Sequence, residues 1–258
     1  MGRERRHAGS FPTLPDVAVA VEIDQLVVRY GAKRAVDGLS LTIDTGTVTS
    51  VLGPNGAGKT TTVETCEGYR RPDSGQVRVL GMDPRADHSR LMPRIGVMLQ
   101  EGGAWSGVRA VEMLRYVARL HAHPLDIGLL EDRLDLGSCG KTPYRRLSGG
   151  QKQRLSFALA IVGRPEVAFL DEPTTGLDPH GRREIWQLIR DLRDDGVTVV
   201  LTTHAMDEAE QLSDMIHMIS AGRLVVSGSP AALTKDGTDK LEDVFLRITA
   251  PTRRREGK

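Results

Sequence analysis

The stretch Gly53-Pro54-Asn55-Gly56-Ala57-Gly58-Lys59-Thr60, with Thr61 behind it, has residue types and spacing that specify phosphate chemistry. Glycines let a backbone turn tightly enough for successive N–H groups to point inward. At the start of a helix the dipole adds about half a positive charge to that concavity. Lys59 is expected to bring a point charge to the β- and γ-phosphates of a nucleotide, and the Thr60 hydroxyl to coordinate Mg2+. An ordinary glycine-rich turn would explain the glycines alone. The placement between an apolar run at Val48–Leu52 and a helix predicted from Thr60 is what phosphate binding requires.

Two further strings carry chemistry. Val167-Ala168-Phe169-Leu170-Asp171-Glu172 is an apolar run ending in two carboxylates. Such a strand would bring Asp171 to a Mg2+ shared with phosphate and water, and Glu172 to the γ-phosphate as general base for an attacking water. Taken alone, an acidic pair at a strand end is more often a solvated turn or a helix cap; downstream of a phosphate loop the balance reverses. Leu147-Ser148-Gly149-Gly150-Gln151-Lys152-Gln153-Arg154 then opens an apolar helix with small residues, a second anion-binding helix start. One nucleotide cannot fill both. Ser148 as a plain N-cap is structurally reasonable but leaves the two glycines unexplained.

The string Leu147, Ser148, Gly149, Gly150, Gln151 resembles the signature of the ATP-binding cassette (ABC) ATPases, in which one subunit's signature closes on ATP held by its partner's phosphate loop. The resemblance spans about residues 17–249 and implies roles for further residues. Tyr30 stands where the family stacks an aromatic on adenine; a lone strand tyrosine would otherwise be a core or rim residue. Gln100 resembles the glutamine that joins the metal and water to the membrane-domain contact, and would otherwise be a surface loop residue. Gly176, Leu177 and Asp178 resemble the loop that passes between two subunits, with Asp178 otherwise a helix N-cap. His204 resembles the histidine that holds the γ-phosphate, whereas a strand-end histidine alone is usually structural. The metal set implied is Thr60, Gln100 and Asp171, and the cofactors are ATP and Mg2+. Gln100-Glu101-Gly102-Gly103 and the stretch 241–247 resemble the branch that energises bacterial drug, antibiotic and polysaccharide exporters. Trp105-Ser106-Gly107-Val108 departs from that branch's pattern.

These residues need an α/β scaffold to hold them. Residues 19–23, 26–30, 39–43 and Val48–Leu52 read as strands, so the N-terminal quarter is sheet, and 77–80 and 95–99 suit further buried strands. Apolar residues then recur at three and four from Val108 to His121, and 129–136 is a leucine-rich helical pattern. From Val167 strands and helices alternate, which implies a mostly parallel sheet covered by helices. Ala221-Gly222 signals a hairpin, and 241–248 a terminal helix. The expected architecture is a phosphate-loop NTPase core, mostly parallel sheet plus an N-terminal antiparallel β subdomain, with an inserted α-helical subdomain. The expected boundaries are a flexible tail at 1–16, one ABC ATPase domain at 17–250 with its helical subdomain at about 101–164, and a basic tail at 251–258.

Composition narrows the function. In 258 residues, 35 Lys plus Arg against 34 Asp plus Glu give a net charge of +1, so no broad field suits nucleic acid or an anionic membrane. Arg3, Arg5 and Arg6, with Arg253 to Arg255, read as solvated ends. No apolar run approaches the roughly 20 residues of a membrane-spanning helix, and the first residues lack the apolar core of a signal peptide. Cys66 and Cys139 have no metal-ligand spacing and fit a reducing compartment. The expectation is an ATPase at the cytoplasmic face of the cell membrane. It would dimerise with a second ABC ATPase subunit, as a homodimer, and dock on integral membrane transporter subunits, with no nucleic acid partner. A soluble ABC ATPase acting on ribosomes or DNA is the alternative, but it usually carries two cassettes or a long coiled coil. A non-hydrolysing regulator is disfavoured by the presence of both Glu172 and His204.

Overall fold

The computed structural model describes residues 18–98 and 106–249. Residues 19–23 and 26–30 form one strand, β1 (Val19–Tyr30). At Gln25 the backbone turns to φ 47°, and the extra residue is absorbed as a bulge because Ser40 Oγ accepts from both the Gln25 N–H (2.8 Å) and Nε2 (3.0 Å). β1 lies between β2 (Lys33–Asp44) and β4 (Ser74–Val79), antiparallel to both. β4 departs from the expected buried strand: only Val77 and Val79 are buried, because it is an edge strand with one face on the core.

The second sheet has six strands in the order β5 (Ile95–Met98), β6 (Val167–Asp171), β7 (Thr198–Thr203), β3 (Val48–Leu52), β8 (Met215–Ser220), β9 (Arg223–Gly228). All neighbours are parallel except the β8–β9 hairpin. Because both faces are covered, its central strands read as continuous apolar runs instead of alternating ones. The alternation survives in which core each residue meets. Val51, Val167, Phe169 and Val200 pack with the antiparallel sheet and with Val63 and Cys66 of α1 (Lys59–Cys66). Ala168, Leu170, Val199 and Leu201 pack with α3 (Ala110–Ala118), α5 (Gly149–Ile161) and α6 (Pro179–Asp194). Phe157 and Phe169 are fully buried, one on each side, and each is worth roughly 2–3 kcal/mol of apolar burial.

Between β5 and β6 the described residues are mostly helical, as α3, α4 (Ile127–Arg133) and α5 with two short 3-10 turns. The apolar recurrence overshoots α3 at both ends. The Val108 carbonyl instead accepts from Tyr144 N–H (2.8 Å), so that end is fixed by a neighbouring segment. The leucine-rich run 129–136 also splits, because Asp135 adopts φ 49° and starts a 3-10 turn at Leu136–Cys139. The other α-helices among the described residues are α2 (His88–Leu91), α7 (Met206–Leu212), α8 (Pro230–Thr234) and α9 (Leu241–Thr249). Leu241 and Val244 of α9 pack with Ala209 of α7 and Ile216 and Met218 of β8. Among the described residues no helix is long and apolar enough to cross a membrane.

Candidate active site

Ligands of open α/β sheets bind outside the carboxyl ends of the parallel strands. Here β3, β6 and β7 end side by side, with Leu52 opposite Thr203 and Asp171 opposite Thr202. β3 runs into the Gly53-to-Gly58 loop, β6 into Glu172 and β7 into His204. A cavity of about 440 Å3 opens there, floored by Asn55 to Thr61 and walled by Tyr30, Lys33, Ala35 and Glu172.

The loop is held rigidly from both sides. Gly58 has φ 104°, and a Cβ there would lie 2.4 Å from the Ala35 carbonyl oxygen; at Gly53 it would lie 2.3 Å from that of Ile219. Only glycine fits such approaches. The hairpin turn after β8 adds a brace: Gly222 N–H donates to the Ala57 carbonyl (2.8 Å), and Asp37 N–H to the Gly222 carbonyl (2.9 Å). α1 begins at Lys59, one residue before the predicted start, and no side chain caps it. Its first N–H groups are therefore left to a ligand.

Lys59 is 7% exposed, and its Nζ donates to the Gly53 carbonyl at 2.7 Å. Burial lowers its pKa from the ordinary lysine value, and the facing charges of Glu172 and Asp171 push it back up. Thr60 Oγ1 donates to Asp171 Oδ2 at 3.3 Å, and Thr202 Oγ1 donates to Asp171 Oδ1, which fixes that carboxyl's orientation. Further along α1's end, burial, then the charges of Asp171 and Glu64, push Glu67 up to about 8.

Glu172 departs from ordinary strand geometry, with φ 51°. A non-glycine residue there costs of order 1–3 kcal/mol and persists only where its surroundings over-determine it. They do so here: Glu172 N–H donates to the Thr202 carbonyl (3.0 Å), and Gln153 Nε2 of α5 donates to the Glu172 carbonyl (2.6 Å). The turn re-aims the side chain toward the cavity. Its Oε2 accepts from Thr175 Oγ1 (3.2 Å) and lies 2.6 Å from His204 Nδ1. Tyr30 has its hydroxyl 3.4 Å from Thr61 Oγ1, and the Arg70 guanidinium lies 4.5 Å over its ring.

Residues 147–151 do not line this cavity. Ser148 caps α5 in a reciprocal box, with Gln151 N–H donating to Ser148 Oγ (3.2 Å) and Ser148 N–H to Gln151 Oε1 (3.0 Å). Leu147 is buried beneath. Beside the box runs the 176–178 loop, where a Cβ on Gly150 would lie 3.4 Å from the Gly176 carbonyl oxygen. Asp178 caps α6 by accepting from Gly181 N–H (2.9 Å) and lies 3.5 Å from Arg154, so the cap reading of that residue is realised. Leu177 packs against the helical-side core. Thus Tyr30, residues 53–61, Asp171, Glu172 and His204 come together, while 147–151 and 176–178 form a separate surface. Gln100 lies outside the described residues, as does Trp105.

Lys33 and Ala35 in the cavity wall and Thr202 behind Asp171 were not singled out in the sequence. Gln153 belongs to the string 147–154 that was, but its place behind Glu172 was not read from it. No local pattern ties it to a residue 19 positions away.

Residues 36–175 match the family model described as ABC transporter. The daunorubicin resistance ATP-binding protein DrrA3 of Streptomyces coeruleorubidus is 42% identical over 235 residues, covering 88% of this chain and 74% of that protein. The Nod factor export ATP-binding protein I of Sinorhizobium fredii is 41% identical, covering 87% and 67%. Among solved structures, one described as the ATP binding subunit of an ABC transporter overlays with a TM-score of 0.80 at 21% identity, over 89% of this chain and 99% of that one, a likeness of fold. cbiO1 of Clostridium perfringens, part of an ABC transporter complex, gives 0.71 at 27% identity, over 90% and 97%. A phosphate loop braced on both sides, two carboxylates at the end of β6 and this degree of likeness converge: the chain belongs to the ABC transporter family, as an ATP-binding and ATP-hydrolysing subunit.

Proposed function

We propose that this chain is the ATPase subunit of an export-type transporter, in which ATP bound between two copies drives their closure and powers separate membrane subunits from the cytoplasmic face. The observation that carries the reading is the separation of two phosphate-compatible helix starts: α1 opens into the cavity, and α5 opens onto a different surface. A second copy, offering its Ser148 and Gly150 to the ATP held by Lys59 and Thr60 here, uses both. The relatives named for daunorubicin resistance and Nod factor export support the exporter branch.

Within one half-site, Tyr30 stacks on the adenine, residues 53–61 cradle the phosphates, and His204 contacts the γ-phosphate. Glu172 takes the proton of the attacking water. Thr60 and Asp171 present hard oxygen donors facing each other, which suits Mg2+. When bound, Mg2+ neutralises charge developing on the transferred phosphoryl group. Gln100 is the third ligand in this scheme.

The test is Glu172→Gln, sized with and without Mg-ATP. Loss of a general base slows hydrolysis about 10²–10⁴-fold. Binding survives, because removing a negative charge beside the γ-phosphate relieves repulsion. The variant should therefore accumulate as an ATP-loaded dimer; a monomer in both conditions, or unaltered turnover, would refute the assignment.

A further inference from the structure

Glu208 lies on α7, four residues after His204, and is 1% exposed. It does not line the cavity. Its Oε1 nevertheless accepts hydrogen bonds from two other elements: Thr174 Oγ1 at 2.7 Å and Trp186 Nε1 of α6 at 3.0 Å. Asp207, its neighbour, lies 2.6 Å from Arg182 of α6, whose guanidinium stacks 4.5 Å over the Trp186 ring. α7 is thereby clamped to α6 at two points, and the 173–178 segment hangs from the same carboxyl oxygen.

That segment joins the two ends that matter. Thr174 lies between Glu172 and Asp178, its carbonyl accepts from Leu177 N–H (3.2 Å), and the adjoining Thr175 hydroxyl donates to Glu172 Oε2 (3.2 Å). His204 meets Glu172 directly on the outer side, but its side chain is 61% exposed, and one exposed contact leaves rotation about itself free. The part-buried Glu208–Thr174 bond is a second attachment between the same two segments, and two attachments fix relative placement where one does not. A buried carboxyl is also a costly way to fill space, since an apolar side chain packs there without desolvating a polar group.

We propose that Glu208 is a positioning residue for ATP hydrolysis, holding the 173–178 segment in register with the start of α7 so that Glu172 and His204 keep their mutual placement. The inference rests on the roles proposed above for those two residues. Misplacement of a reacting group by about 1 Å costs up to about 10²-fold in rate, so the coupling acts on turnover and leaves ATP capture to the phosphate loop.

The decisive variant in the full chain is Thr174→Val, which keeps the shape and removes the donor. It should lower kcat on the order of 10-fold or more with KM for ATP changed by less than about 2-fold. Thr174→Ser, which restores the hydroxyl, should recover most of the loss. Glu208→Gln, whose amide oxygen can accept both bonds, should outperform Glu208→Ala; if the alanine variant fails to fold, the Thr174 pair decides alone. In a Trp105→Phe background Trp186 is the sole tryptophan, and its emission should respond to Mg-ATP in the parent and lose that response in Thr174→Val. Unaltered kcat in Thr174→Val, or equal losses for Ser and Val, would overturn the coupling while leaving the ATPase reading intact if Glu172→Gln still abolishes turnover. If Glu172→Gln also turns over normally, both readings fall.

Discussion

The starts of α1 and α5 are built from similar residues and folded to opposite ends. Before α1, Gly58 is wedged against the Ala35 carbonyl, the Gly222 N–H holds the Ala57 carbonyl, and no side chain caps the helix. Before α5, Ser148 and Gln151 cap each other, and a side chain at Gly149 would meet open space. The first is a cradle braced on both sides by its own chain. The second is a capped, stable face that its own chain leaves open. A glycine-rich helix start therefore does not by itself make a binding site; what matters is whether neighbouring strands wall it in. On the function proposed above, the α5 face becomes a site only against the ATP held by a second copy.

The comparison predicts opposite failures at the two starts. Ser148→Arg should leave ATP affinity of the chain unchanged but cut hydrolysis about 10²–10³-fold, as loss of a transition-state contact does; steady-state turnover beside nucleotide titration measures both. Normal turnover would mean that the α5 face takes no part in the site. Lys59→Ala should do the reverse and act on binding first. Removing a charged hydrogen-bond donor worth roughly 1.5–3 kcal/mol should weaken ATP binding up to about 10²-fold, read by calorimetry. Affinity within about 2-fold of the parent would remove Lys59 from the phosphate contacts.

A smaller effect separates the cradle's stability from its chemistry. Glu67, at the buried end of α1, has its pKa raised from 4.5 to about 8. Between those values the folded chain holds a proton that the unfolded chain has released, so this group's stabilising contribution is complete below about pH 4.5 and is lost as pH rises through 8. Glu67→Gln should flatten that decline and raise the Tm relative to the parent above pH 8, by a few degrees in the metal-free chain. Parallel Tm curves for the two proteins across this range would show that Glu67 titrates normally.

How much was legible in advance follows the range of the interactions. The phosphate loop, the strand ending at Asp171 and the capped helix after Ser148 are contiguous, and each is specified by neighbours within about four positions, where local backbone preference and periodicity operate. The bulge at Gln25 was not legible as such, because its stabilising partner Ser40 lies on the next strand. The end of α3 and the break at Asp135 were misplaced because an apolar spacing records which residues are buried and does not record where the backbone stops being helical.

The sequence by itself therefore determined the chemistry: which residues can bind phosphate, which can take a proton, and that strands and helices alternate to carry them. Tertiary structure alone decided which of those residues share a cavity. β3, β6 and β7 are adjacent in the sheet although more than a hundred residues separate Leu52 from Asp171, and only strand order brings Thr60 to Asp171 and Glu172 to His204. It also decided the supports, Gln153 and Thr202 behind the carboxylates and Glu208 between α6, α7 and the 173–178 segment. The physical reason is that a hydrogen bond needs its partners within about 3 Å, and proximity between distant residues is set by packing the whole core, which no local pattern encodes.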